Sequence, residues 1–226
     1  MNRISLIRLL IKKHKLNNYL EIGVFNGKVL FRVKATFKIA VDPAFKFDAL
    51  RKLGKTFLNP YNLFNRYFRK TSDRFFAEDA PALFAHRKIG IALVDGMHEY
   101  QFALRDVENT LRYLDDNGVI IMHDCNPLTP EAAGSFEAWK ARDFTGQWNG
   151  DVWKAILYLR STRPDVHVFV LDCDHGLGVI TKGTPESMLS YTPEEIADFT
   201  YADFDRSRRE WLNLKPAGHA HSFFGI

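Results

Sequence analysis

Cysteine is scarce in this sequence: Cys125 and Cys173 are the only two in 226 residues. A disulfide framework is therefore excluded, and the count suits a reducing compartment, so a cytoplasmic protein is expected. Long apolar runs are lacking too. None approaches the roughly 20 residues that a membrane helix needs, and Arg3, Arg8, Lys12 and Lys13 break residues 1–13 too early for a signal-peptide core. Nor is one sign of charge in great excess. Lys plus Arg total 31 against 27 Asp plus Glu, a net charge of +4, with no long basic block of the kind nucleic-acid arms carry. Neither nucleic acid nor membrane is expected as a partner, and no internal repeat or low-complexity linker is found. What is present is 46% hydrophobic and 26% charged, an ordinary globular composition. A chain of this length buries about 70% of its unfolded surface without staples.

Apolar spacing supplies the elements. Ile4, Ile7, Leu10 and Ile11 recur at helical intervals between basic residues, which predicts an amphipathic helix over 3–16 packed on the domain. Near-continuous apolar runs predict strands at 19–23, 38–43, 89–96 and 118–124, with a weaker one at 66–71. A closing pair, 166–171 and 177–181, is joined by a turn short enough to make it antiparallel. Helices are expected over 100–114, with Phe102, Val107, Leu111 and Leu114 on one side, and over 151–159. Strands alternating with helices indicate an α/β fold whose parallel sheet is covered on both faces. Aliphatic content falls from Gly183, and Pro185, Pro193 and Pro216 punctuate the rest. A domain over 1–182 is therefore expected to carry an appendage over 183–226, helical from 193 to 212, with a mobile end. That appendage is expected to be dispensable for folding, its aromatics covering part of the domain or a partner subunit. Self-association is left open.

In open parallel sheets, ligands bind beyond the carboxyl ends of the strands, so the residues standing there carry the functional reading. After the first strand comes Glu21-Ile22-Gly23-Val24-Phe25-Asn26-Gly27. Its two glycines allow a backbone turn to approach a ligand before a helix begins, but the spacing is not the G-x-G-x-x-G of a dinucleotide site. Asp42 ends the second strand, where a carboxylate can accept from both hydroxyls of a ribose. Thr71-Ser72-Asp73 follows the third, within reach of an adenine edge. Together these describe a nucleoside pocket without a phosphate-binding fingerprint.

Glu21-x-Gly23-x-x-x-Gly27, Asp42 and the closing hairpin resemble a class I S-adenosylmethionine-dependent methyltransferase. Ser72-Asp73-Arg74-Phe75-Phe76, Leu93-Val94-Asp95-Gly96-Met97-His98-Glu99-Tyr100, Ile120-Ile121-Met122-His123-Asp124-Cys125-Asn126-Pro127 and Gly150-Asp151-Val152-Trp153-Lys154 narrow it. They are similar to the small bacterial enzymes that include macrocin O-methyltransferase-like proteins, over about residues 19–182. The resemblance implies a Rossmann-like methyltransferase fold with a seven-stranded, mostly parallel sheet and helices on both faces. It implies S-adenosyl-L-methionine on Glu21, Gly23, Phe25, Asn26, Gly27, Asp42, Ser72, Asp73 and Asp95, and a small-molecule or sugar hydroxyl as acceptor.

Metal-dependent O-methyltransferases resembling catechol O-methyltransferase offer a second comparison. Asp95 and Asp124 match their aspartates, His98 stands where their lysine base stands, and Cys125 replaces an asparagine, with Asn126 one residue on. The implied metal ligands are Asp95, Asp124 and Asn126, for Mg²⁺ or another divalent cation, and the implied catalytic residues are His98 and Asp95. Asp151 is a further candidate oxygen donor. His123 is read as structural at the end of a buried strand, and Cys125 lacks an assignable activating base. Two other functions stay open: a nicotinamide-dependent Rossmann oxidoreductase, and a non-catalytic nucleoside-binding module.

Overall fold

The computed structural model describes residues 1–141 and 147–226. Asn2 starts the first helix, α1 (Arg3–His14): its side chain accepts from the Ser5 N–H at 3.0 Å, and Ser5 Oγ accepts from the Asn2 N–H at 3.0 Å. This reciprocal cap satisfies donors that a helix start leaves free. Next come β1 (Asn18–Ile22), β2 (Phe37–Val41), α2 (Ala49–Leu58) and β3 (Asn65–Phe68). The middle of the chain forms α3 (Ser72–Glu78), α4 (Ala80–Leu83), β4 (Ile89–Val94), α5 (Tyr100–Tyr113) and β5 (Leu114–Met122). After α6 (Phe136–Ala141) and α7 (Trp153–Thr162), β6 (Val166–Asp172) and β7 (Leu177–Lys182) form a hairpin. The remainder is α8 (Pro193–Asp198), α9 (Tyr201–Trp211), β8 (Leu214–Pro216) and α10 (His219–Phe224).

The strands make one sheet of order β3-β2-β1-β4-β5-β7-β6-β8. The first five positions are parallel, while β7 runs antiparallel to both β5 and β6. This is the expected α/β sheet with its antiparallel closing pair, enlarged from seven strands to eight. The additional strand, β8, lies parallel to β6 with Leu171 opposite Lys215. Three residues ending in proline give almost no strand signal, and proline is tolerated there because the strand is at the sheet edge.

Side chains alternate across the pleat and so sort the core into two layers. Leu20, Ile22, Ile39, Val41, Val94 and Ile120 share one layer with Phe75 of α3, Val107 of α5, Ile156 of α7 and Phe204 of α9. Tyr19, Ala40, Ile91, Leu93 and Ile121 share the other with Leu6, Ile7 and Leu10 of α1 and Ala220 of α10. The segment from 183 onward is thus part of the principal core. Ile196, Phe204, Trp211 and Leu212 are all buried, and Arg160 of α7 donates to the carbonyls of Glu210 and Trp211.

The glycine turn after β1 is not followed by an α-helix, as its spacing had suggested, but by a single 3-10 turn at Leu30–Arg32. From Phe31 to Thr36 buried and exposed residues alternate, with Phe31, Val33 and Ala35 inside and Arg32, Lys34 and Thr36 outside, a period that suits extended chain rather than a helix. The carbonyls of this irregular stretch are satisfied from outside. Buried Lys38 donates to Leu30 at 2.9 Å and Val33 at 3.1 Å, while Asn59 and Asn62 each donate to Phe31 at 3.1 Å. Among the described residues, no helix is long and apolar enough to cross a membrane.

Candidate active site

Ile22 of β1, Val94 of β4 and Met122 of β5 lie side by side, so the residues that follow them emerge together at one edge of the sheet. The ladder extends one step further: the Asp95 N–H reaches the Ile22 carbonyl at 2.9 Å and the His123 N–H reaches Val94 at 3.0 Å. Gly23 has φ 81°, and a side-chain carbon there would lie 1.9 Å from the Asp95 carbonyl oxygen. Glycine is required for this approach of two strand ends.

Four elements contribute to the cluster above that edge. His98 Nε2 stands 3.6 Å from Asp95 Oδ1 and 3.3 Å from Asp124 Oδ2. His123 Nδ1 faces the same two carboxylates, at 3.2 Å from Asp95 and 2.9 Å from Asp124. Arg3, at the start of α1, places Nε 3.4 Å from Asp95 and Nη1 3.1 Å from Asp174, which lies in the β6–β7 turn. Asp124 takes the left-handed conformation, φ 62°, uncommon for a residue with a side chain. Its Oδ1 accepts from Asn149 at 2.8 Å and Gln147 at 3.4 Å. Across the cluster, His98 Nδ1 lies 3.0 Å from the Trp148 carbonyl, which can only accept, so that nitrogen carries the proton. Nε2 is then the ring atom free to act on the carboxylate side.

Three carboxylates here face two imidazoles and a guanidinium. Burial works against the Asp95 carboxylate, but His123, His98 and Arg3 outweigh it and hold its pKa well below the usual range. Burial likewise opposes charge on His98, and Asp95 and Asp124 reverse the balance, raising its pKa above the ordinary histidine value. His123 is drawn up to about 11, burial being outweighed by Asp124, Asp174 and Asp95. Arg3 Nη1, 2.6 Å from His123 Nε2, can only donate. In this contact Nε2 accepts from the guanidinium, which opposes the upward pull of the carboxylates on the ring.

A divalent cation fits one side of the cluster. Asp95, His98 and Asp124 each offer a ligand atom, all within 4.8 Å of one another. Asp124 Oδ2 is buried and lacks a well-directed hydrogen bond. Asn126 does not join them. Its amide donates to Asp172 at 3.2 Å and accepts from Arg208, so both ends are engaged elsewhere. Asp151 is also committed: it accepts from the Tyr100 N–H at 2.6 Å and so caps α5. Cys125 is buried, and burial pushes its thiol up, far from a reactive thiolate.

Beside the cluster lies the crevice formed by the ends of β1, β2 and β3. Asp42 Oδ2 accepts from the Phe25 N–H and Oδ1 from the Ala44 N–H, both at 2.7 Å, which fixes the carboxylate and leaves each oxygen a further lone pair. Phe25, at φ 48°, presents an exposed ring at the crevice mouth. Asn26 accepts from the Lys28 N–H at 3.0 Å, and Gly27, at φ 73°, packs against the Phe31 ring. Ser72 begins α3 and bonds buried Asp106, whereas exposed Asp73 pairs with Arg105 at 3.1 Å. Glu21 is not at the surface of this crevice. It is buried beneath it, accepts from the Tyr19 hydroxyl at 2.5 Å, and burial pushes its pKa up to about 8.

A family model described as a methyltransferase domain matches residues 20–125, which span β1 through the end of β5 and include Gly23, Asp42, Asp95 and Asp124. Residues 20–125 thus resemble a methyltransferase domain. Solved structures share the fold at low identity. The O-methyltransferase TomG from Streptomyces achromogenes, solved with S-adenosylmethionine, superposes with TM-score 0.58 at 13% identity, over 80% of this chain and 79% of its own. An O-methyltransferase from Bacillus cereus gives 0.55 at 12% identity, over 80% of each chain. The Podospora anserina methyltransferase PaMTH1 gives 0.54 at 16%, over 80% and 78%. No curated protein matches by sequence.

At the strand ends, the sequence pointed to Asp95, His98 and Asp124, and the structure brings them together. It adds five residues that sequence reasoning missed or set aside. Arg3 and Asp174 carried no local signal, and Gln147 and Asn149 lie in a loop without a motif. His123, taken as structural, is buried yet faces both carboxylates. A cavity of about 450 Å³, lined by Tyr100, Phe102, Asp151, Lys154, Phe199 and Tyr201 among others, begins next to His98 in sequence but does not open onto the cluster.

Proposed function

We propose that this methyltransferase transfers the methyl group of S-adenosylmethionine to an acceptor hydroxyl, with His98 as general base. The observation that carries the reading is the convergence of His98 Nε2 on Asp95 and Asp124 beside the strand ends that carry Gly23 and Asp42. In the reaction, the acceptor oxygen attacks the sulfonium methyl in line. A C–O bond forms, the S–C bond breaks, and the hydroxyl proton passes to His98 Nε2. Trp148 holds the His98 ring in the tautomer that leaves Nε2 free, and the flanking carboxylates stabilise the imidazolium that results. Such a base contributes about 10²–10⁴ in rate, and positioning donor against acceptor supplies much of the rest.

On the cofactor side, Asp42 is assigned to the ribose hydroxyls through its remaining lone pairs. Gly23 and Gly27 shape the loop, and Phe25 is placed to cover the bound nucleoside. Ser72 and Asp73 are assigned to the adenine edge, and buried Glu21 supports the strand beneath. Asp95 and Asp124 would hold a divalent cation, whose chemistry would be to acidify the acceptor hydroxyl and fix its position. The free thiols Cys125 and Cys173 fit a reducing compartment such as the cytoplasm. The test is methyl transfer from radiolabelled S-adenosylmethionine over a panel of sugar, phenolic and polyketide hydroxyls. Calorimetry with S-adenosylhomocysteine accompanies it. Binding of a reduced nicotinamide in preference to S-adenosylhomocysteine would overturn the assignment.

A further inference from the structure

Helix α2 is packed the wrong way round for a helix of a self-contained globular protein. It contains no buried residue. Leu50, Leu53 and Phe57, at i, i+3 and i+7, lie along one face and are 78%, 69% and 90% exposed, and neighbouring Leu58 is 77% exposed. The turn that follows adds exposed Leu63 and Phe64. The polar side faces inward instead. Lys52 Nζ sits 4.2 Å above the Tyr67 ring, and the Lys55 carbonyl accepts from Asn62 at 2.9 Å. A surface helix normally buries its apolar stripe, and an apolar patch left outside marks an interaction surface.

Charge identifies the partner. Residues 45–69 contain Lys46, Arg51, Lys52, Lys55, Arg66 and Arg69 against a single acid, Asp48, whose carboxylate is engaged in capping α2 at 2.8 Å from the Arg51 N–H; the next cation, Lys70, is already paired with Glu78 and Asp79. A second copy would fit poorly, because a two-fold interface sets a patch against itself and would bring these cations face to face. An anionic lipid surface satisfies both halves of the pattern. Large aliphatic and aromatic side chains enter the boundary between headgroups and acyl chains, while lysine and arginine stay at the headgroup level.

We propose that α2 and the turn Pro60–Phe64 seat the protein on anionic membrane surfaces. The helix lies in the plane of the interface and inserts Leu50, Leu53, Phe57 and Leu58. The Lys46 N–H, donating to the Phe25 carbonyl at 2.8 Å, ties this surface to the crevice mouth. Binding as such does not depend on the methyl-transfer reading.

The full chain is to be floated with vesicles of phosphatidylcholine containing about a third phosphatidylserine, and with pure phosphatidylcholine vesicles as control. Binding to the anionic vesicles is expected, weakening steeply with salt, with little binding to the control. Leu53→Asp and Phe57→Asp should each lower vesicle binding at least tenfold while leaving the thermal unfolding midpoint in place, since both side chains are already in water. Arg51→Glu should remove the preference for anionic lipid. Failure to bind the anionic vesicles would overturn the proposal, as would undiminished binding by L53D and F57D. So would a solution dimer that L53D dissociates, which would assign the patch to a second copy, or dependence of binding on an added acidic protein.

Discussion

Replacing Trp211 with alanine is expected to destabilise the fold by about 3–5 kcal/mol, the usual cost of truncating a large buried aromatic. The indole is only 3% exposed and is enclosed by other rings: Trp153 at 6.0 Å with the planes 15° apart, and Phe199 at 4.5 Å. Its Nε1–H also donates to the Tyr191 hydroxyl at 3.1 Å, a bond worth about 1 kcal/mol that alanine cannot make. Against a total stability of about 5–15 kcal/mol this is a large fraction. With a urea dependence of about 2–3 kcal/mol per molar, the midpoint should fall by roughly 1–2.5 M. Ending the chain after Lys182 goes further. It removes the buried side chains Ile196, Phe204, Trp211 and Leu212, each worth about 1.5–3 kcal/mol, and together they rival the stability of the whole domain. Urea titration followed by far-UV circular dichroism is the assay. The truncated chain should show no cooperative transition. If it unfolds at the full-length midpoint, or if Trp211→Ala moves the midpoint by less than about 0.3 M, the packing argument is wrong.

Asp106 is buried on α5, and burial pushes its pKa up to about 7. Its protonated form therefore favours folding fully below about pH 4, and that contribution is lost as pH rises through 7, by at most on the order of 4 kcal/mol. Asp106→Asn should gain stability relative to the parent between pH 5 and pH 8 in parallel denaturation curves; a constant offset would contradict this. Asp42→Ala should weaken S-adenosylhomocysteine binding about tenfold to a hundredfold by calorimetry, the expected loss for charge-assisted hydrogen bonds of about 1.5–3 kcal/mol. Affinity equal to the parent's would sink the ribose assignment. His98→Gln should lower kcat by about 10²–10⁴ with cofactor affinity retained; full activity would move the base elsewhere. With the acceptor in hand, excess chelator should abolish turnover and Mg²⁺ should restore it. Undiminished turnover in chelator would leave charge compensation to Arg3 and the histidines.

The strand ends were legible because buried parallel strands read as unbroken apolar runs, and the runs stop at Gly23, Asp42, Asp95 and Asp124. In-register pairing then made adjacency in the sheet follow from strand order. What could not be read was contact made across the chain. Arg3 reaches His123 from 120 residues away, and only the docking of α1 on the sheet brings it there. Asn126 stands apart from the cluster, its amide engaged by Asp172 and Arg208, neither of them near it in sequence. The helix expected after Gly27 became a 3-10 turn because burial alternates from Phe31 to Thr36 and the carbonyls find Lys38, Asn59 and Asn62. Amphipathic spacing in α2 is visible in the letters, but the inward turn of Lys52 onto the Tyr67 ring is a contact made outside the helix.

Lys38, Asn59 and Asn62 have a mechanical consequence. Asn59 and Asn62 follow directly on α2, yet their amides grip Phe31 and Val33 just beyond the glycine turn, and Lys38 bonds Asn62 Oδ1 at 2.5 Å from below. The outer helix and the loop assigned to the nucleoside are therefore fastened to one rivet rather than hinged separately. A load placed on α2 is transmitted through two amide side chains to the backbone that shapes the crevice. Loosening the rivet, as Asn62→Ala would, should raise amide hydrogen exchange at 29–33 and at 55–62 together, two stretches that are separate in sequence and continuous in strain.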